Sequence, residues 1–131
     1  TIEVYISYII LDSFNLKSLD IEHFSKKRLF SGKVPELLEL VSKKFKNLEN
    51  LNLSGLLDLS YNNFPLTSFT NLIENSLIYI KKINLSNWYS LKDSHLIKLF
   101  TKCHFIESIE LAECYLLTGT FLISIELNIV N

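Results

Sequence analysis

An apolar residue, two free positions, a second apolar residue, one free position and a third apolar residue recur along this chain. The pattern fits Leu16, Leu19, Ile21; Leu48, Leu51, Leu53; Ile80, Ile83, Leu85; and Ile106, Ile109, Leu111. The last positions of the four copies are 32, 32 and 26 residues apart. Within each copy the final apolar pair brackets a polar residue, the period of a strand with one buried face. The pattern therefore predicts strands near 16–22, 48–54, 80–86 and 106–112. Between the copies the period turns helical. "PELLELVSKKF" places Leu37, Leu38, Val41 and Phe45 on one stripe, with Pro35 suited to a first helical turn. "DSHLIKLFTKC" does the same with Leu96, Leu99, Phe100 and Cys103, and Asp93 or Ser94 suits its N-cap. A weaker helix in "SFTNLIENS" uses Phe69, Leu72 and Ile73.

One strand and one helix per unit cannot bury the unit's own apolar face, so each must stack on its neighbour. The expectation is an α/β solenoid: a single domain over 1–131, about four repeats, a parallel sheet on a concave inner wall and helices on a convex outer wall. Two stretches complicate it. "LLDLSYNN", Leu56 to Asn63, is a second strand-like phrase, read either as an insertion or as the start of the true second register, since Leu59, Leu85 and Leu111 are spaced by 26 and 26. The tail "LISIELNIVN" arrives too early for a full repeat and reads as an atypical cap or the end of a truncated array.

Composition narrows the class. At 131 residues, 48% hydrophobic and 21% charged, the chain is globular in character. A formal charge of −1 gives no global electrostatic reason to bind nucleic acid. No apolar run approaches the ~20 residues of a membrane helix. "TIEVYISYIIL" lacks a basic leader and carries Glu3, so it reads as a core strand or helix edge rather than a signal. With no methionine in the sequence, a fragment or processed piece is expected, with an upstream segment missing. Cys103 and Cys114 are too few for a disulfide framework and read as buried thiols in an intracellular protein of cytoplasm or nucleus. The "NLS" strings at Asn52 and Asn84 are formal glycosylation acceptors that fall inside the repeated phrase.

From Ile80 to Gly119, "IKKINLSNWYSLKDSHLIKLFTKCHFIESIELAECYLLTG" resembles the leucine-rich-repeat proteins, in the cysteine-containing type of F-box proteins and of the ribonuclease-inhibitor-like group of plants and other eukaryotes. Cys114 matches that type's first cysteine, Cys103 its helix-end cysteine and Asp93 its turn acid. Trp88 and Leu56 stand where the first cysteine would be, and Gly119 replaces the last turn acid. The resemblance covers about residues 14 to 119. It implies a non-enzymatic protein-interaction module: the substrate-recognition half of a ubiquitin-ligase receptor, docked to a cullin-type ligase through a missing F-box. The alternatives are a free-standing ribonuclease-inhibitor-like scaffold or inhibitor, and a truncated array without function.

Candidates for chemistry are thin. His23, His95 and His104 are scattered, and adjacent Cys103 and His104 at a helix end point in different directions. Cys103, His104 and Cys114 lack a fourth metal ligand and a short Cys-x-x-Cys spacing. Gly32, Gly55 and Gly119 lie too far apart for a phosphate cradle. No catalytic, metal or cofactor site is expected. Lys26, Lys27, Arg28 and Lys33, with Lys43, Lys44 and Lys46 at the end of the first clear helix, form a lysine-rich patch, whereas residues 103 to 131 carry Glu107, Glu110, Glu113 and Glu126 and no Lys or Arg. That gradient reads as a solvated face or as a means of orienting a partner.

Recognition is expected on the strand positions that point away from the helices. One column is Asp20, Asn52, Asn84 and Glu110; beside it run Ser18, Asn50, Lys82 and Ser108, and on the other side Glu22, Ser54, Ser86 and Ala112. The candidate binding residues are Asp20, Glu22, Asn50, Asn52, Lys82, Asn84, Ser86, Ser108 and Glu110, with Trp88 either a rim anchor or a filler of the cysteine site.

Overall fold

A computed structural model describes residues 16–22, 33–57 and 63–123. Strands β1 (Ser18–Asp20), β2 (Asn50–Asn52), β3 (Lys82–Asn84) and β4 (Ser108–Glu110) form one sheet in the order β1-β2-β3-β4. Every neighbouring pair is parallel, and the register places Leu19, Leu51, Ile83 and Ile109 in one row. Helices α1 (Val34–Lys44), α2 (Leu66–Ser76) and α3 (Asp93–Lys102) connect them. The chain is thus an α/β protein with a sequentially ordered parallel sheet.

Each strand is three residues long, and in β1, β2 and β3 the central side chain is buried while its predecessor is exposed. Leu19, Leu51 and Ile83 point into one cluster that includes Leu37, Leu38 and Val41 of α1, Phe69, Leu72 and Ile73 of α2, and Leu96 and Leu99 of α3. Full burial of each such side chain stabilises by about 1.5–3 kcal/mol. Phe45 and Cys103 join that cluster at the helix ends, and Phe100 packs against it partly buried. Between the helices, Ser76 donates from Oγ to the Val41 carbonyl at 3.2 Å and Asn71 donates from Nδ2 to Glu39 at 2.9 Å, fixing α2 on α1.

The helix ends follow from local chemistry. In α1 Pro35 occupies the first turn, where its missing N–H costs nothing, and Lys43 and Lys44 meet the negative end of the dipole. Helix α2 starts two residues earlier than its periodicity predicts, directly after Pro65. Asp93 is the first residue of α3, not its N-cap, and Ser94 lies inside the helix. The Lys92 N–H is instead taken by Nδ1 of His95 at 2.9 Å.

Most of the unequal spacing of the repeats lies in one connection. Five residues separate each helix from the next strand in all three units. Between strand and helix, thirteen residues intervene after β1 and β2 but only eight after β3, and α3 is one residue shorter. "LLDLSYNN" therefore belongs to a long strand-to-helix connection: β2 pairs directly with β3, which removes the alternative register through Leu59. Leu56 and Leu57 are buried; Leu59 itself lies outside the described residues, as do "TIEVYISYIIL", His23, Lys26, Lys27, Arg28, Gly32 and residues 124–131.

Just beyond β2, β3 and β4 the backbone makes the same left-handed turn, at Gly55 (φ 78°), Asn87 (φ 63°) and Glu113 (φ 59°). Glycine and asparagine tolerate that conformation; a glutamate there is strained. The same inter-unit bonds flank it, Gly55 N–H to the Ser86 carbonyl at 2.9 Å and Asn87 N–H to the Ala112 carbonyl at 2.8 Å.

Candidate functional site

The sheet's other face carries the candidate residues, and the structure divides them. Ser18, Asn50, Lys82 and Ser108 share one register row, and Asp20, Asn52, Asn84 and Glu110 the next. Together with Leu19, Leu51 and Ile83 they line a depression of about 220 Å³. The two polar rows are not equivalent. Asp20, Asn52 and Asn84 each accept a hydrogen bond from the backbone N–H two residues on, at Glu22 (2.9 Å), Ser54 (3.0 Å) and Ser86 (2.9 Å). This is the local bond that short polar side chains make at turns. The remaining amide hydrogens reach sideways, Asn52 Nδ2 to Glu22 at 3.2 Å and Asn84 Nδ2 to Glu110 at 2.8 Å. That row holds the turns and links the strands.

The Ser18, Asn50, Lys82 and Ser108 row is different. All four are exposed, and among the described residues none makes a side-chain hydrogen bond or ion pair. A ligand meets these side chains without first breaking a bond of the fold.

Two candidates are corrected. Trp88 is fully buried and is no rim anchor: its indole Nε1 donates to the Leu53 carbonyl at 2.8 Å, and its ring packs edge-on to Phe69 at 5.7 Å. Ser86 is largely buried, its Oγ accepting the Ala112 N–H at 3.2 Å. Trp88 fills the place that Cys114 fills one unit later, because the Cys114 thiol donates to the Leu85 carbonyl at 3.2 Å. Leu53 and Leu85 are the same position of the repeated phrase, so indole and thiol satisfy the same carbonyl.

Both cysteines are buried and unbridged. Burial pushes the Cys103 thiol up to about 12 and raises Cys114 as well, so neither holds a thiolate near neutral pH. His104 is exposed beside the closed-off Cys103. Among the described residues no group of His, Cys, Asp and Glu is arranged to hold a metal ion, and no helix is long and apolar enough to cross a membrane.

Among the described residues Asp93 is the one strongly perturbed carboxylic acid. Its carboxylate accepts the Thr118 N–H at 2.7 Å, the Phe121 N–H at 3.0 Å and the Thr120 hydroxyl at 2.9 Å. Those bonds, the Thr118 backbone first, hold it down to about 2. The acid of one unit thereby ties down the backbone beyond the next, a structural task rather than a catalytic one.

Sequence reasoning missed a second row at the other end of the strands. Lys17, Glu49, Lys81 and Glu107 alternate in charge immediately before β1, β2, β3 and β4. Glu49 pairs with Lys81 at 3.1 Å and with Lys17 at 3.5 Å. The hydrogen bond from Lys81, then the charge of Lys17, lowers the Glu49 pKa, and Glu49 in turn raises that of Lys81. The signal was a column of alternating sign at a fixed offset from the first leucine. Tyr79 and Phe105, which immediately precede that first position, lie half exposed with ring centroids 6.0 Å apart. The chain's sequence matches no known family model and no curated protein.

Proposed function

We propose that the chain is a non-catalytic protein-interaction module, a short leucine-rich-repeat arc that binds a protein partner across the open face of its sheet. The observation that carries the reading is the exposed, uncommitted row Ser18, Asn50, Lys82 and Ser108, set on a face that no described element covers. Units that stack through identical backbone bonds present such rows at fixed spacing, which is the geometry of extended repeat-protein binding surfaces. The residue types support protein recognition: small polar groups with one cation, and acids Asp20 and Glu110 at the two ends of the neighbouring row. In the fuller form of the proposal the module resembles the substrate-recognition repeats of an F-box receptor in ubiquitin-dependent degradation, presenting a target to a cullin-type ligase.

The test is affinity capture from cell extract with the native chain and with an Asn50→Arg, Ser108→Arg double variant, each checked by thermal melting. Both positions are exposed and unbonded, so folding stability is expected within about 0.5 kcal/mol of native. Specific partners are expected to fall about tenfold or more, equivalent to 1.4 kcal/mol of lost binding. Unchanged recovery rejects the open-face reading. Co-recovery of a cullin subunit with the protein as expressed from its complete gene separates ligase adaptor from free-standing scaffold.

A further inference from the structure

Strands β1, β2 and β3 are each covered on their far edge by the next strand, through the same backbone bonds. The Lys17 carbonyl accepts the Glu49 and Asn50 N–H groups, the Glu49 carbonyl those of Lys81 and Lys82, and the Lys81 carbonyl those of Glu107 and Ser108, at 2.7 to 3.1 Å. In the other direction Ile21, Leu53 and Leu85 donate to the Asn52, Asn84 and Glu110 carbonyls, and Gly55 and Asn87 to those of Ser86 and Ala112. In the β4 unit the matching groups are the Glu107 carbonyl and the Leu111 and Glu113 N–H groups. Among the described residues none of the three has a backbone partner. The side chains stop short at the same place. Ile80, Ile83 and Leu85 are at most 2% exposed, whereas Ile106, Ile109 and Leu111 are only partly buried, and Ala112 is exposed where Ser86 is buried.

Charge selects the strand that fits this edge. The column Lys17, Glu49, Lys81 and Glu107 is neutral as a whole, but its acids are not equally served. Glu49 lies between lysines at 3.1 and 3.5 Å, whereas Glu107 has Lys81 on its β3 side and the free edge on the other. No Lys or Arg follows Lys102 in the sequence. In the next column Glu110 accepts from Asn84 Nδ2 at 2.8 Å, again from the β3 side. A strand laid against β4 sits about 4.8 Å away. A cation on it opposite Glu107 is thus one spacing from the acid and two from Lys81 and Lys82, beyond the screening length of about 8 Å. Aligned on the same phrase, β1 of a second copy sets Asp20 opposite Glu110, and the chain's own "SIEL" at 124–127 carries Glu126 at that position.

We infer that the free edge of β4 takes up an extended segment of a partner protein as a fifth parallel strand, reading cation, any residue, apolar residue, amide or hydroxyl donor, apolar residue. These five positions lie opposite Glu107, Ser108, Ile109, Glu110 and Leu111. Backbone bonds supply the attachment and the alternate side chains the selectivity. The edge is a different surface from the open face and does not depend on what binds there.

The test is a titration of the isotopically labelled full chain, followed by amide NMR shifts, with the peptide Gly-Ile-Lys-Ser-Ile-Asn-Leu-Ser-Gly. The largest shifts are expected at Glu107, Ile109, Leu111 and Glu113, with the Leu111 and Glu113 amides gaining protection from solvent exchange. Replacing the peptide's lysine by glutamate is expected to weaken binding about fivefold, the upper range of an exposed ion pair. Glu107→Lys, a change at an exposed side chain, is expected to reverse that preference, with the rest of the spectrum as the check on folding. Methylating the backbone nitrogen of the peptide's first serine, which takes the place of the Lys82 and Ser108 N–H groups, is expected to cost about fivefold, the value of one net hydrogen bond. Equal binding of the lysine and glutamate peptides, no reversal in Glu107→Lys, indifference to the methylation, or no shift at millimolar peptide overturns the proposal. So does prior protection of Leu111 and Glu113 in the free chain, which means that the chain covers its own edge. Shifts at β1 and β4 that grow with protein concentration alone overturn it in favour of a second copy.

Discussion

A tryptophan and a cysteine, Trp88 and Cys114, do the same work one unit apart, each donating to a buried carbonyl of the preceding unit. The larger donor is needed where the cluster contains Phe64 and Phe69, which pack around the indole at 6.1 and 5.7 Å. Trp88→Phe keeps most of that volume but orphans the Leu53 carbonyl, so urea unfolding is expected to show a loss of about 1–3 kcal/mol. Trp88→Cys restores a donor but leaves a cavity, and is expected to cost more than the phenylalanine variant. Glu113 is the converse case. It occupies a left-handed turn that its counterparts fill with glycine and asparagine, and Glu113→Gly is expected to raise stability by about 1 kcal/mol in the same measurement. Glu113 was readable from the aligned phrases "LSG", "LSN" and "LAE". The inward direction of Trp88 was not, because an aromatic three residues past a strand fits a rim as well as a core until its carbonyl partner is known.

The centre of each strand was legible from the apolar-polar alternation at fixed offset, but the strands span three residues where the pattern suggests seven, and the pairing of β2 with β3, not the sequence, decides against a register through Leu59. Two things were hidden at the scale of the element. The length of each strand-to-helix connection is set by what fills it, and "LLDLSYNN" imitates a strand because its apolar residues Leu56 and Leu57 enter the same core as the strands do. The division of the open face into a bonded and an unbonded row was hidden as well, because asparagine serves a turn or a ligand with the same amide. Stability separates the two rows: Asn84→Ala removes bonds to the Ser86 N–H and to Glu110 and is expected to cost about 1–2 kcal/mol, against little change for Asn50→Ala. Asp93 sets a pH window by the same logic. Its folded pKa, about 2, lies below the ordinary 3.8, so its contribution is complete above pH 3.8 and is lost as pH falls toward 2. In Asp93→Asn that acid-dependent drop in the urea midpoint is expected to shrink, the variant being already weakened at neutral pH. His95, stacked on Phe64 at 3.6 Å, acts in a separate window. Burial lowers its pKa from 6.5, so the unfolded chain takes the proton first and stability declines as pH falls below 6.5. His95→Gln is expected to remove that upper decline alone.

For the molecule as a whole, a core assembled from shared faces is only as strong as the number of neighbours each unit has. The middle units have two. Leu51, Ile83, Leu53 and Leu85 are at most 2% exposed, and β2 and β3 are hydrogen-bonded on both edges. The last described unit is different: Ile106, Ile109 and Leu111 are only partly buried against the same cluster. What ties that unit down is local, the Asp93 carboxylate on Thr118, Thr120 and Phe121 together with backbone bonds such as Leu85 N–H to the Glu110 carbonyl at 2.9 Å. Opening free energies in such a stack follow the contacts that must break. Native-state hydrogen exchange is therefore expected to rank the amides, with Leu53 and Lys82 in the interior of the sheet slowest and Cys114, Leu117 and Phe121 in the last unit fastest. Asp93→Asn is expected to accelerate Thr118 and Phe121 first, with Leu53 and Lys82 following only through the smaller change in global stability. A uniform acceleration of all four amides would mean that the units do not open separately and that the chain unfolds as one block, whatever the sequence repeat implies about its construction.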